Sequence, residues 1–170
     1  MTVDIRSHGL TRRATLSLGL MVLAGPAWAQ AGDADAAYDR LLKRYVSASP
    51  DGINRVDYAG WRANSADRTA LDGYITELSR LKPSAMARAD AFSFWGNLYN
   101  AVTLKVILDR YPVASIRDIK SDNWLDPKAY TGPWRQPRVT VEGRRLSLDD
   151  IEHDIMRPTF KDPRVHYIVN

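Results

Sequence analysis

Glu152 and His153 stand side by side, and together they are the chain's clearest proton-handling candidates. A carboxylate and an imidazole move protons readily near neutrality. Adjacent helical residues point about 100° apart, so the two need not face each other. One should face the core or a cleft and the other solvent. His166 lies in an apolar run, Val165 to Val169, that reads as a buried strand. Alternation puts Val165, Tyr167 and Val169 on one face and His166 with Ile168 on the other. Asn97 and Asn100 are spaced i, i+3 and share a helix face, with Tyr99 between them. A buried amide left without a partner costs about 1–3 kcal/mol. These asparagines either brace neighbouring backbone or orient a reacting group or ligand. Trp124 and Trp134 lie in a Pro/Gly-rich stretch with Tyr130. They either line a cleft, as ligand-binding candidates, or plug a core edge.

Other chemistries lack their patterns. Asp149, Asp150, Glu152, His153 and Asp154 are dense, but no H-E-x-x-H or comparable zinc spacing occurs. Acidic residues at a helix start are explained by the dipole, so no metal is expected. There is no G-x-S-x-G, P-loop or dinucleotide fingerprint, and no cofactor is implied. Ser147 has sufficient work as a helix cap. The sequence has no cysteine, hence no disulfide and no thiol nucleophile.

The elements that must position these residues follow from periodicity. From Phe92 to Tyr111, Phe94, Leu98, Ala101, Val102, Leu104, Ile107, Leu108 and Tyr111 recur at helical spacing. Phe92 and Val106 widen the apolar face, which predicts a central helix enclosed by the fold and stopped by Pro112. Amphipathic helices are expected over Ala34 to Ser47 and Asp67 to Leu81, and a short strand over Asn54 to Tyr58. Arg138 to Glu142 alternates as a strand, Gly143-Arg144 reads as a turn, and Arg145-Leu146 returns. A helix capped by Ser147 should end before Pro158. The fold class is α+β, with helices on a small sheet drawn from about Asn54, Val139 and Val165.

Residues 1–29 read as a signal peptide. Arg12 and Arg13 precede the apolar run Leu16 to Leu23, and Ala27-Trp28-Ala29 is a small-x-small cleavage pattern. The run is too short for a membrane span, which needs about 20 residues. Thr11-Arg12-Arg13-Ala14-Thr15-Leu16 resembles a twin-arginine signal, favoured over general secretion, although Thr15 stands where an aromatic or leucine is commoner. Cleavage predicts a periplasmic or secreted product beginning near Gln30, with no stable membrane span. Its organisation is an N-terminal helix and turn over 30–53 and one domain over 54–170. Removing Arg6, Arg12, Arg13 and Asp4 lowers the net charge from +4 to +2. Lys and Arg are scattered, so no nucleic-acid footprint exists.

Three motifs occur in order: Phe94-Trp95-Gly96-Asn97-Leu98-Tyr99-Asn100-Ala101, Leu146-Ser147-Leu148-Asp149-Asp150-Ile151-Glu152-His153, and Asp162-Pro163-Arg164-Val165-His166-Tyr167. With weaker echoes at Val56-Asp57-Tyr58 and Gly132-Pro133-Trp134, they resemble the family named domain of unknown function 547. The resemblance covers about Asn54 to Asn170. It implies an exported or envelope-associated bacterial protein, in a family whose biochemistry is poorly defined. It also implies a cysteine-containing segment after the part matching Val165 to Asn170, which makes this chain look incomplete. A cysteine near the Glu-His pair would suggest thiol chemistry like that of papain-like or transglutaminase-like proteins. On that analogy Glu152 orients and His153 is the base or acid, while the nucleophile is absent here.

Three functions stand open. The chain is an inactive relative of thiol hydrolases, or a fragment of a longer active protein. Otherwise it is an envelope binding or scaffolding module that holds a peptide, glycan or partner protein with the aromatic loop from Trp124 to Trp134. A chain ending on a buried strand would expose an unpaired edge and be less stable than a continued one.

Overall fold

The computed structural model describes residues 27–120 and 132–169. Most of the expected export segment, together with Trp124 and Tyr130, lies outside the described residues. The fold is α+β and mostly helical, with two small antiparallel hairpins.

Helix α1 (Ala27–Tyr45) begins earlier than the periodicity predicts, so Ala27-Trp28-Ala29 lies in its first turn. It packs against α3 (Ser65–Arg80). The Tyr38 and Tyr74 rings stack 4.3 Å apart, and the Tyr74 hydroxyl donates to Asp35 at 2.7 Å. Strands β1 (Val46–Ser47) and β2 (Arg55–Val56) form the first hairpin, with Val46 opposite Val56. Helix α2 (Tyr58–Ala63) follows where the sequence reading ran a strand to Tyr58. Asp57 turns the chain there, because its carboxylate accepts the Gly60 amide at 2.9 Å and caps the helix. Trp61 of α2 is fully buried and stacks on Tyr45 at 4.7 Å.

The central helix α4 (Arg88–Arg110) carries buried residues on every side, among them Phe94, Trp95, Leu98, Ala101, Val102 and Leu108. Such an all-round apolar surface suits a helix enclosed by α2, α3 and the C-terminal elements. It ends at Arg110, because Tyr111 precedes a proline and is extended.

Strands β3 (Val139–Val141) and β4 (Arg144–Leu146) pair with Val139 opposite Leu146. Their turn is Glu142-Gly143, one residue before the expected position. Both residues have positive φ, 48° and 78°, which is the geometry a two-residue hairpin loop needs. The two hairpins are separate sheets, so the single sheet drawn from Asn54, Val139 and Val165 does not form.

Ser147 then makes a reciprocal cap. Its hydroxyl accepts the Asp150 amide at 3.1 Å, while the Asp150 carboxylate accepts the Ser147 amide at 2.8 Å. The helix beyond is not ordinary. Asp150–Met156 is a π segment, and the Arg157 amide donates to the Glu152 carbonyl five residues back. Helix α5 (Arg157–Phe160) continues it through Pro158, where the sequence predicted a stop. Proline has no N–H, and its ring presses on the carbonyl four residues back. A widened turn just ahead of Pro158 relieves that clash.

The largest correction is at the end of the described chain. Val165–Ile168 is a helical turn, α6, rather than a strand. A five-residue apolar run cannot be assigned from periodicity alone. Val165 and Val169, four apart, are buried together, whereas Tyr167 between them is 85% exposed. That pattern is helical. The expected unpaired strand edge falls with the strand.

Candidate functional site

The second half of α4 faces the π segment and α6, and a cleft of about 520 Å³ opens beside them. Its walls include Tyr58, Tyr99, Ile107, Trp134 and Val169, and its polar lining is Thr103, Arg117, Glu152 and His166.

Within the W-G-N-L-Y-N stretch of α4, Gly96, Tyr99 and Asn100 serve this site. Gly96 lies against Ile168, where a Cβ would sit 2.6 Å from the Ile168 Cδ1. One turn later, the Asn100 amide donates to the Ile168 carbonyl at 2.8 Å. Asn100 therefore braces backbone, and together with Gly96 it seats α6. Tyr99, between them in the motif, is buried and turns its hydroxyl to Glu152 Oε2 at 3.5 Å. Burial, and then the Glu152 carboxylate, push the Tyr99 phenol up to about 12, with the Trp134 indole acting the other way. Tyr99 is thus a donor, not a base. Asn97 lies apart from this cleft. It acts on the Tyr74 hydroxyl and lines a separate groove of about 630 Å³ with Leu78, Met86 and Phe94.

Glu152 is held mainly by Arg157. Nη2 donates to Oε1 at 2.5 Å and Nε at 3.2 Å. The same guanidinium reaches His166, with Nη1 2.9 Å from Nε2 and Nη2 3.2 Å from Nδ1. Guanidinium nitrogens only donate, so a ring nitrogen of His166 is the acceptor in this contact. Glu152, Arg157 and His166 thus form one connected group at the cleft, with Tyr99 on its other side.

His153 is not part of that group. Its side chain is 52% exposed, and its Nε2 is 3.6 Å from Asp149 Oδ1 and 3.9 Å from Glu152 Oε1. Neither distance is a hydrogen bond. The expected division, one residue inward and one outward, is what the helix produces: Glu152 faces the cleft and His153 faces solvent. The Asp149–Asp154 run does not converge, and among the described residues no three acidic or histidine side chains gather to hold a metal ion.

Trp134 sits on a short 3₁₀ turn, Pro133–Arg135, half-buried against the core and lining the cleft. It therefore lines a cleft and covers part of the core at once. Sequence reasoning missed Arg157, Arg117, Tyr58 and Thr103. Arg157 is five residues from Glu152, a spacing that predicts no contact in an α-helix. Proline immediately after it was the only available signal.

A family model described as a protein of unknown function, DUF547, matches residues 83–170. That is just over half of the chain. The chain belongs to the DUF547 family. The match spans all three motifs that build or flank the cleft and begins after Val56-Asp57-Tyr58. No curated protein and no solved structure gave a match. No helix among the described residues is long and apolar enough to cross a membrane.

Proposed function

We propose that this DUF547 member is an exported protein that binds a ligand in the cleft between α4, the π segment and α6. Trp134 and Tyr99 supply the aromatic surfaces. The observation that carries this reading is the placement of Trp134 on the wall of a cleft that also holds a prepared polar group, Glu152 with Arg157 and His166. A concave site that joins apolar side chains to a few fixed polar groups is a usual form of a small-molecule pocket. Candidate occupants are a peptide, a glycan or part of an envelope protein.

Thiol hydrolysis is the second reading. The family resemblance to Glu-His-Cys chemistry favours it, as does the meeting of a carboxylate and an imidazole at the cleft. That imidazole is His166, not His153. Within these 170 residues there is no cysteine to act as nucleophile, so binding is the function supported for them.

Export rests on Arg12-Arg13, the apolar run to Leu23 and Ala27-Trp28-Ala29. The intact mass of the native protein tests it, and a product retaining residues 1–29 would overturn it. The binding reading is tested by screening a fragment library against ¹⁵N-labelled protein. Hits should move the Trp134 indole N–H and disappear in a folded Trp134→Ala variant. Hits that leave this resonance in place, or that survive the substitution, would sink it.

A further inference from the structure

We infer that the ligand of this cleft is a small organic anion with an apolar body, its anionic group seated at Arg117 and its body against Trp134, Ile107 and Val169. The inference rests on the binding reading above and adds the ligand's chemistry.

Among the described residues at and beside the cleft, two arginines, Arg117 and Arg157, face one carboxylate. Glu152 is the one carboxylate among its described lining residues, and Arg157 already engages its Oε1 through two nitrogens. Arg117 also lines the cleft, from the 3₁₀ turn Ile116–Asp118. Its backbone amide bonds to Ser115, but no described residue pairs with its guanidinium. Asp118, the next residue, is not part of the lining. In a 3₁₀ turn, successive side chains point about 120° apart. Among the described residues, Arg117 is therefore a cation at the cleft without a counter-charge of its own.

The uncharged donors point to the same ligand. Tyr58 lines the cleft, and its hydroxyl makes no hydrogen bond to a described residue. Burial raises its pKa, so it remains a donor. A guanidinium and a phenol O–H both suit an acceptor-rich anionic group. Tyr99, Ile107, Ile116, Trp134 and Val169 give the cleft aromatic and aliphatic walls, which a bare inorganic ion would leave unfilled. At about 520 Å³, the cleft has room for a body as well as a head.

Matched probes separate the two parts of the claim. Benzoate and benzyl alcohol share a ring and differ in charge, and inorganic phosphate has charge without a body. Each is titrated into ¹⁵N-labelled protein, following the Trp134 indole N–H assigned with Trp134→Phe. Benzoate should bind about tenfold more tightly than benzyl alcohol, as a charge-assisted hydrogen bond allows. Arg117→Gln should remove that preference without weakening benzyl alcohol, and Arg117→Lys should keep most of it. Arg117 is exposed, so both variants should fold. Equal binding of the two ring probes, or a preference that survives Arg117→Gln, overturns the anion inference and leaves the cleft reading standing. Phosphate binding as tightly as benzoate overturns the apolar body. If no ring probe moves the Trp134 resonance at 20-fold molar excess or at saturation of solubility, the cleft reading itself fails.

Discussion

The Asn100 side-chain amide reaches across 68 positions of sequence to the Ile168 carbonyl, 2.8 Å away. One turn earlier on the same helix, Gly96 gives the Ile168 side chain room. The pair fixes α6, and α6 carries His166 to the cleft. Asn100→Ala should cost about 1–3 kcal/mol, because it leaves a carbonyl in a half-buried position without its partner. Amide exchange over Val165–Ile168 should accelerate more than exchange in α3. Unchanged exchange in α6 would show that Asn100 does not hold it.

Gly96→Ala sets two effects against each other. Helix propensity favours alanine by about 1 kcal/mol. Overpacking against Ile168, where the new Cβ would meet Cδ1 at 2.6 Å and Cγ1 at 3.0 Å, opposes it by about 1–3 kcal/mol. The single variant should be neutral to mildly destabilised. In an Ile168→Ala background, the same substitution should become stabilising. A urea double-mutant cycle measures the coupling, and additivity of the two changes would contradict the contact.

His153 and His166 should behave differently. His153→Ala should change stability by no more than about 0.5 kcal/mol, as for exposed residues without structural partners. It should also leave binding in the cleft intact. His166→Ala should weaken that binding, because it removes a lining group of the cleft. The reverse ranking, measured with the same probe, would return the functional role to His153.

Alkaline titration reports on Tyr99. Its phenol is raised above the ordinary 10.0 to about 12, first by burial and then by Glu152. The stability this contributes is complete below about pH 10 and is lost as the pH rises towards 12. Glu152→Gln should bring the Tyr99 midpoint down, followed by the ¹³Cζ shift of that ring. A midpoint that does not move would mean burial alone sets it.

Acid acts at a different corner. Asp162 is held down to about 2 by the Arg164 side chain and then by the Arg164 amide. Its contribution is present above about pH 4 and is lost as the pH falls through 2. The Arg164 amide, which Asp162 accepts at 2.9 Å, should lose protection in that window. Asp162→Asn should flatten the response, and an Arg164 amide indifferent to pH would refute the link.

The central helix was legible because its apolar residues recur from Phe92 to Tyr111 and a proline marks its end. The motif Phe94 to Ala101 was legible as a family signature, though not as a device for seating α6. That role depends on Ile168, which is remote in sequence. The run Val165 to Val169 was too short to declare its period, and strand alternation put Tyr167 on the wrong side. Helix α2 was hidden because its start depends on the Asp57 cap rather than on a long apolar stripe. The cleft was half visible. Glu152, Tyr99 and Trp134 stood out by type, while Arg157 did not, because its meeting with Glu152 needs a turn wider than the α-helical one.

That wider turn also sets a residue count. With about 100° per residue, an α-helix would place Arg157 some 140° around the axis from Glu152. Deleting one residue between them would restore ordinary i, i+4 spacing, and the ion pair alone would tolerate either length. Pro158 would not, because in the shorter, regular helix its ring would strike the carbonyl four residues back. The residue that reads as a helix breaker is therefore a gauge: it admits the longer spelling of this segment and rejects the shorter one.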